Sequence, residues 1–308
     1  MYKRQFYKEL ASAKVIIENT NIVERLYAYK KKEQFLLQTW HGSLGIKRLD
    51  GDVVMGFRWK QLAKRCQKTV DYLLSNSNFE TEVFRTAYWK DVPSILVGHA
   101  RNDIFFIKDQ EKVARINKKV HRFLNIDEDT HIFLFAPTHR DDVDESYQPL
   151  NYEMIKEALE ERFGGKWQIV IRLHNRLKKE SRSWLNLLPS YVSDATFYED
   201  MQELLLCTDV GLTDYSSWIF DFVLSGKPGF IIELNLEDYE NARGFYYPID
   251  TTPFPIATSS EELADNIRKF DAEKYAKDKD VFLAARGCME DGHASERIVE
   301  KINELMAK

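Results

Sequence analysis

The stretch TDVGLTDYSSWIFDFVLSGKP, residues 208–228, decides the fold class of this chain. Its apolar residues at 210–212 predict the end of a buried strand, a turn follows at Asp214, and residues 216–224 predict a helix. A buried strand that leads directly into a helix is typical of an α/β protein with a parallel sheet. Strands and helices alternate in the same way along the rest of the chain. The sequence therefore predicts parallel sheets covered by helices.

The polar residues of this stretch indicate an anion site. Thr213, Ser216 and Ser217 bring hydroxyl groups to the start of the predicted helix, where backbone N–H groups are unpaired and the helix dipole is positive. In an open α/β sheet, ligands bind outside the carboxyl ends of the strands, which is where this turn would lie. The alternative is that Ser216 or Ser217 only caps the helix. The stretch by itself leaves both interpretations open.

Composition narrows the class of protein and its partners. A chain of 308 residues with 44% hydrophobic and 30% charged residues suits two folded domains. The net charge of −5 argues against nucleic acid as a partner. Three cysteines, odd in number and far apart, suit a reducing compartment and no disulfide framework. The N-terminus lacks the apolar core of a signal peptide, and no apolar run approaches the ~20 residues that cross a bilayer, so we expect any membrane contact to be peripheral.

A histidine follows an early strand directly. Residues 35–40 predict a strand, and the segment HGSLG begins at His41, immediately after it. An imidazole at the carboxyl end of a strand, followed by glycines, can face a cleft and act as a base near neutral pH. The alternative is a loop histidine that is hydrogen-bonded to a carbonyl group.

Residues 53–70 are rich in basic side chains, although the chain as a whole carries a net negative charge. They contain Arg58, Lys60, Lys64 and Arg65 and predict a basic amphipathic helix. Such a helix suits anionic lipid head groups or a polyanionic acceptor. A solvated face that is balanced by acids elsewhere is the alternative.

Polar residues also follow two further predicted strands. Thr138 and Arg140 follow the strand at 131–136, and Arg172 and His174 end the strand at 168–173. Because parallel strands end at one edge of a sheet, we expect these side chains to lie near the residues at 213–217. Arginine binds phosphate oxygens with a planar fork, so this edge predicts a site for a pyrophosphate.

At this point several motifs resemble one known family. They are QTWHG (38–42), FAPTHRD (135–141), RLH (172–174), TDYSS (213–217) with Asp221, KP (227–228), RGFY (243–246) and DGHAS (291–295). Their order along nearly the whole chain is similar to that of the CDP-glycerol glycerophosphotransferase family, the teichoic-acid primases and polymerases of Gram-positive cell walls.

The resemblance implies a GT-B-like fold, with two Rossmann-like domains whose parallel sheets face each other across a cleft. We expect an N-terminal acceptor-side domain at 1–108, a domain that binds the CDP-alditol at 109–280, and a C-terminal helix at 281–308 that returns to the first domain. Family members usually have a further strand and helix, or a longer targeting region, before the part that matches residues 11–19. The chain is therefore expected to be either a short member of the family or a trimmed one.

The family reaction moves an alditol phosphate, here expected to be glycerol phosphate, from its CDP ester to a hydroxyl group of a lipid-linked or polymer acceptor, and it releases CMP. The implied partners are CDP-glycerol or a related CDP-alditol, the acceptor and the inner face of the cytoplasmic membrane, which the protein would meet peripherally. No cofactor is expected. No divalent metal is expected either, because the short DVD pattern at 142–144 arises easily by chance in a charged loop.

The resemblance also implies functional roles for the residues of this chain that match the family motifs. His41 would be the base, and His174 would contact the phosphates or the leaving group. The residues implied to hold the donor pyrophosphate are Thr138, Arg140, Arg172, Thr213, Asp214, Ser216, Ser217, Asp221 and Arg243. Those implied on the acceptor or membrane side are Gly42, Ser43, Lys47, Arg58, Lys60, Lys64 and Arg65.

The chain departs from the family at a few positions, and two other functions stay open. Ser43 stands where threonine is usual, His139 where an aromatic residue is usual, and Asn175 where proline is common. The changes near the donor leave the identity of the alditol open. The alternative functions are a GT-B glycosyltransferase that uses a nucleotide sugar and a non-catalytic module that binds an anion or a membrane.

Overall fold

The computed structural model describes residues 2–20, 30–45, 47–53, 57, 61, 65, 68–87, 89–138, 150–173, 189–233 and 244–308. The chain divides into two units: one contains Met1–Asp103 and Leu283–Lys308, and the other contains Ile104–Phe282. The sequence placed these divisions at 108/109 and 280/281. Among the described residues, no helix combines the length and the apolar character that a membrane span requires.

The first unit is built on a four-stranded parallel sheet in the order β1-β2-β3-β4. Val15 pairs with Phe35, Leu37 pairs with Tyr72, and the last two strands pair through Leu73 and Ser94. The strands are β1 (Val15–Glu18), β2 (Phe35–Gln38), β3 (Tyr72–Ser75) and β4 (Ser94–Leu96), and the helices are Tyr2–Ser12, Asn78–Ala87 and Ala294–Met306.

Both faces of this sheet are covered, because successive residues of a strand point to opposite sides. Leu73 lies in one apolar cluster and its neighbour Leu74 lies in another. Leu74 packs with Ile298, and Ile302 lies one helical turn further along the same C-terminal helix. The cluster around Leu73 contains Leu10, Leu36, Trp40, Val70, Phe84, Ala87, Trp89 and Val92. The end of the chain thus supplies one apolar layer of the first unit.

The second unit is built on a six-stranded parallel sheet in the order β10-β9-β8-β5-β6-β7. The strands are β5 (Thr130–Phe135), β6 (Lys166–Ile171), β7 (Val192–Asp194), β8 (Val210–Thr213), β9 (Gly229–Ile232) and β10 (Ile256–Ala257). The helices are Gln110–Leu124, Tyr152–Phe163, Met201–Cys207, Ile219–Phe222, Ser260–Arg268 and Ala272–Ala285, the last of which contains the boundary between the units.

The strand order of the second unit reverses at β5. The chain runs outward from β5 through β6 to β7, and then returns to place β8 on the other side of β5. Phe133 in β5 pairs with both Ile169 in β6 and Val210 in β8. Loops that follow β5 and β8 therefore leave the sheet side by side, at the position where α/β sheets bind ligands.

The helix expected at 216–224 is much shorter than the sequence predicts. It covers only Ile219–Phe222 and continues as a 3₁₀ turn, Val223–Ser225, before Gly226 takes a left-handed conformation with φ of 72°. Asp214 accepts a hydrogen bond from the N–H group of Tyr215, and such local side-chain bonds compete with helix formation. A helix of one turn offers little dipole, so this part of the anion-site argument is wrong.

Candidate functional site

His41 lies at the carboxyl edge of the first sheet, after β2. Trp40, directly before it, has φ of 54°, a left-handed conformation that a bulky residue seldom adopts. The Trp40 ring packs edge-on against Trp89, with centroids 5.6 Å apart, and stacks on the imidazole of His41 at 4.3 Å. Burial of the indole therefore fixes the turn that carries His41 away from the strand.

The tautomer of His41 follows from its hydrogen-bond partner. Nδ1 lies 2.7 Å from the carbonyl oxygen of Asn19, at the end of β1. A carbonyl oxygen only accepts, so Nδ1 carries a proton and the neutral ring has its lone pair on Nε2. The side chain is exposed. His41 is thus hydrogen-bonded to a carbonyl group, as a loop histidine would be, but this bond leaves Nε2 available as the basic nitrogen.

A small cavity of about 190 Å³ opens beside His41. Arg101 lines it and donates a hydrogen bond from Nη2 to the carbonyl oxygen of Gly42. Ser43 is buried, and its Oγ accepts a hydrogen bond of 2.7 Å from Nδ2 of Asn76. The other residues that line the cavity are Asn19, Thr39, Trp40, Leu74, Gly98, His99, Ala100 and Ile298.

Two carboxylates lie beneath this edge, of which Glu80 is buried and Glu290 is half-buried. Glu80 pairs with Nε2 of His99 at 2.9 Å and accepts from the N–H group of Asn76 at the same distance. Glu290, from the C-terminal segment, accepts from Nδ2 of Asn76 and from Nδ2 of Asn102. Burial raises the pKa of Glu290 above its usual value, although the hydrogen bonds that it accepts oppose this effect.

The acceptor-side predictions fall in different places. Gly42 and Ser43 lie in the loop after His41, and Lys47 is half-buried. Arg65 is exposed, as is Phe57 at 76%. Arg58, Lys60 and Lys64 lie outside the described residues.

A third carboxylate organises the edge of the second sheet. Oδ1 of Asp214 accepts from the N–H group and the hydroxyl of Thr138, both at 2.7 Å, and from the N–H group of Tyr215. Asp214 is 2% exposed. Thr213 is fully buried and donates to the carbonyl oxygen of Ala136 at 2.8 Å. The loops after β5 and β8 are therefore joined through Thr138, Thr213 and Asp214.

Ser216 and Ser217 face a different environment from these buried neighbours. Both are half-buried, and no hydrogen bond of either hydroxyl is found within the part of the chain that the structure describes. Trp218 occupies the cap position of the short helix, where no side chain caps the backbone, so neither serine has the capping role of the alternative interpretation. The Trp218 indole instead donates from Nε1 to the carbonyl oxygen of Ala136 at 2.7 Å. Of the predicted donor residues described, these two serines are best placed to meet a ligand.

The remaining donor-side predictions are partly engaged within the fold. Arg172 donates from Nη1 to the carbonyl oxygens of Ala195 and Tyr198, and burial lowers its pKa. Asp221 is buried and lies 3.4 Å from Nε2 of Gln202. Arg140, His174 and Arg243 lie outside the described residues, as does the DVD pattern at 142–144. Within the described ranges, no cluster of three histidine, cysteine or acidic side chains could hold a metal ion, and metal independence stays a prediction.

Sequence reasoning missed the residues that position the site. Asn19 contacts His41 through its backbone carbonyl oxygen, which every residue type has, so the sequence could not single it out. Asn76 and Glu290 are 214 residues apart and belong to no local pattern. The tryptophan after Ser217 was a visible signal, because a buried indole N–H usually needs an acceptor.

Comparison with known proteins gives consistent matches. The family model of CDP-glycerol:poly(glycerophosphate) glycerophosphotransferase matches residues 2–304. A teichoic acid poly(glycerol phosphate) polymerase of Staphylococcus epidermidis is 30% identical over 97% of this chain, and the chain spans 42% of that relative. A teichoic acid glycerol-phosphate transferase of Staphylococcus aureus is 29% identical over 98% of this chain and 79% of its own length.

A solved structure is similar over the same range. A structure of the wall teichoic acid polymerase TagF superposes with a TM-score of 0.80 at 28% identity, and it covers 97% of this chain and 74% of that chain. Another TagF structure was soaked with CDPG. The expected α/β class with parallel sheets is confirmed, and so is the GT-B-like fold.

The Asp214 carboxylate gives a first prediction. Asp214→Ala should lower the free energy of unfolding by about 3 kcal/mol, because it leaves buried donors without an acceptor. Asp214→Asn should lower it by only about 1 kcal/mol, since an amide oxygen can still accept. Urea denaturation measures both values. Asp265→Ala, at an exposed ion pair, is the control and should change stability by less than ~0.5 kcal/mol. Equal stability of Asp214→Ala and the control would contradict the assignment.

Proposed function

The chain belongs to the CDP-glycerol:poly(glycerophosphate) glycerophosphotransferase family, and we propose that it transfers glycerol phosphate from CDP-glycerol to a hydroxyl group of a lipid-linked acceptor, releasing CMP. The observation that carries the proposal is the geometry of His41. Its imidazole is exposed at the carboxyl edge of a sheet, and the Asn19 carbonyl oxygen leaves Nε2 as the basic nitrogen. A hydroxyl group is a poor nucleophile, so a base in this position assists its attack.

The proposed reaction is a substitution at phosphorus. The acceptor oxygen forms a bond to the phosphorus atom that bears glycerol, and the bond from that phosphorus to the bridging oxygen of CMP breaks. The hydroxyl proton passes to Nε2 of His41, and the negative charge that leaves with CMP needs fixed donors around it. The role of His174 at the phosphates or leaving group remains a prediction from the family resemblance.

We assign the donor diphosphate to the carboxyl edge of the second sheet. Support comes from the reversal of strand order at β5, from the two half-buried serine hydroxyls after β8, and from the buried carboxylate that fixes their loop. Oδ1 of Asp214 accepts hydrogen bonds from Thr138 and Tyr215, which offset part of its negative charge within the loop. Ser216 and Ser217 then act as donors to phosphate oxygens.

The test of the base is His41→Ala. This variant should lose CMP release from CDP-glycerol in the presence of acceptor, while its dissociation constant for CDP-glycerol stays within a few fold. Isothermal titration measures binding, and product masses with chromatography of the nucleotide measure transfer. His131→Ala is a matched control, because His131 lies on β5 near its amino end and stacks on Trp167. Transfer by His41→Ala at the wild-type rate would remove His41 as the base.

The same assay separates the alternative functions. A glycosyltransferase that uses a nucleotide sugar would release a nucleoside diphosphate from that sugar and no CMP from CDP-glycerol. A non-catalytic module would bind CDP-glycerol without releasing CMP in the presence of any acceptor.

The serines of the donor edge give a separate prediction. Ser216→Ala and Ser217→Ala should each raise the dissociation constant for CDP-glycerol about 10-fold, since a hydrogen bond to a charged group contributes at least ~1.5 kcal/mol. Ser225→Ala is the control within the same stretch, because its hydroxyl donates to the carbonyl oxygen of Phe222. Unchanged affinity in both serine variants would place the diphosphate elsewhere.

We further propose that the chain works at the inner face of the cytoplasmic membrane, where its lipid-linked acceptor lies. The support is the basic stretch at 53–70, in which Phe57 and Arg65 are exposed. An exposed aromatic ring in a basic stretch of sequence suits anionic head groups.

Vesicle flotation tests this contact. The chain should float with vesicles that contain phosphatidylglycerol and not with pure phosphatidylcholine, and substituting Arg58, Lys60 and Lys64 by glutamine should weaken binding at least ~10-fold, at about 1 kcal/mol per basic residue. The matched control substitutes Lys274, Lys277 and Lys279, which lie on the helix Ala272–Ala285, by glutamine. Equal losses in the two triple variants would show that net charge alone attracts the chain.

A further inference from the structure

Three successive residues of the loop that carries the proposed base are each held by a separate contact. We call residues 39–45 the His41 loop. His41 is held through Nδ1 by the Asn19 carbonyl oxygen, and the Gly42 carbonyl oxygen accepts from Arg101. Ser43 accepts from Nδ2 of Asn76 at 2.7 Å. Ser43 is buried, so its hydroxyl serves the fold of the loop rather than the solvent-facing side.

Each N–H hydrogen of Asn76, in its side-chain amide and in its backbone, is donated to a hydrogen-bond acceptor. Asn76 follows β3 and is fully buried. One hydrogen of its amide group goes to Ser43, and the other goes to Oε1 of Glu290 at 3.0 Å. Its backbone N–H group donates to Oε2 of Glu80 at 2.9 Å. The amide plane therefore has a single orientation, which transmits the position of Glu290 to the Ser43 hydroxyl.

Glu290 also reaches the second contact of the loop. The same Oε1 atom accepts from Nδ2 of Asn102 at 2.9 Å and from the N–H group of His99 at 3.1 Å. Asn102 directly follows Arg101, the residue that holds Gly42. One carboxylate oxygen thus sets the position of residues that hold both Gly42 and Ser43.

The C-terminal segment is fixed where it delivers this carboxylate. Met289 donates from its N–H group to the Asn76 carbonyl oxygen at 3.0 Å, and Cys288 forms an antiparallel bridge with Ser77. Beyond Glu290, the carboxylate of Asp103 accepts from the N–H groups of Ala294 and Ser295, at the start of the last helix. Glu290 is therefore held from both sides along the chain.

We propose that Glu290 and Asn76 are positioning residues for the transfer reaction, and that they act on His41 through the hydroxyl of Ser43. This inference rests on the proposed role of His41 as the base. A base must lie within about 3 Å of the proton that it removes, and a displacement of about 1 Å can reduce a rate ~100-fold. The hydrogen bonds that run from Glu290 through Asn76 to Ser43 restrict the loop to the position in which Nε2 meets the acceptor hydroxyl.

The first experiment compares two substitutions of Ser43. Ser43→Ala removes the acceptor atom, and it should lower kcat for CMP release about 10- to 100-fold while KM for CDP-glycerol stays within about 2-fold. Ser43→Thr keeps the hydroxyl, as the usual family residue does, and should restore kcat to near the wild-type value. The control is Thr208→Val, which removes a buried hydroxyl bonded to the Leu204 carbonyl oxygen in the second unit. It should lower Tm without lowering kcat.

The second experiment measures whether Glu290 and Ser43, at the two ends of this series of hydrogen bonds, affect kcat through the same route. Glu290→Ala should also lower kcat, and the double variant with Ser43→Ala should lose no more than the larger single loss, because both changes interrupt one route. If Glu290→Ala fails to fold, the Ser43 pair alone decides the question. Wild-type kcat in Ser43→Ala, equal losses in Ser43→Ala and Ser43→Thr, or multiplying losses in the double variant would overturn the inference. Absence of CMP release from the wild-type chain would instead refute the proposed function.

Discussion

The structure depends on how the chain satisfies the polar hydrogens that parallel strands leave unpaired where they end. Inside a sheet, each N–H group has a partner on the next strand, but the loop after the strand has none. At the edges where the candidate sites lie, each unit meets this need with carboxylates. The buried Asp214 serves the second unit, and the buried Glu80 and the half-buried Glu290 serve the first. Asp214 collects donors from the loops after β5 and β8, and Glu290 collects donors that follow β3 and β4. The loops that carry the candidate functional residues are shaped by these carboxylate side chains.

A carboxylate that is shielded from water in this way is stable only when it accepts several hydrogen bonds. Burial of an ionised carboxylate costs several kcal/mol unless hydrogen bonds replace the lost water. Glu290 receives bonds from two amide side chains and one backbone N–H group, yet its pKa is still raised by burial. Removing any one of these donors would leave less of the lost hydration replaced. This makes the positions of Asn76 and Asn102 strongly determined.

Much of this fold could be predicted from local pattern. The apolar runs identified the strands around His41 and those on each side of Thr213, because strands buried on both faces are continuously apolar. Their parallel direction then placed Thr138 and Thr213 at one edge. The length of the helix after Ser217 could not be predicted in this way, since it depends on a local bond of Asp214 and on an indole contact with the loop after β5. The link from Glu290 to Ser43 is a tertiary contact, and no periodicity in the sequence reports it.

The same distinction shows why a motif alone does not tell which of its residues meet a ligand. A loop that presents a functional side chain must also be held, and neighbouring residues of one motif divide these tasks. In HGS, His41 is exposed while Ser43 is buried and bonded to Asn76. In TDYSS, Thr213 and Asp214 are buried in the loop contacts while Ser216 and Ser217 remain partly accessible. Both kinds of residue are needed, because the bonds of the buried one place the accessible one. Sequence similarity therefore marks the whole loop, and only burial and hydrogen bonding separate the residues that hold it from those proposed to react or bind.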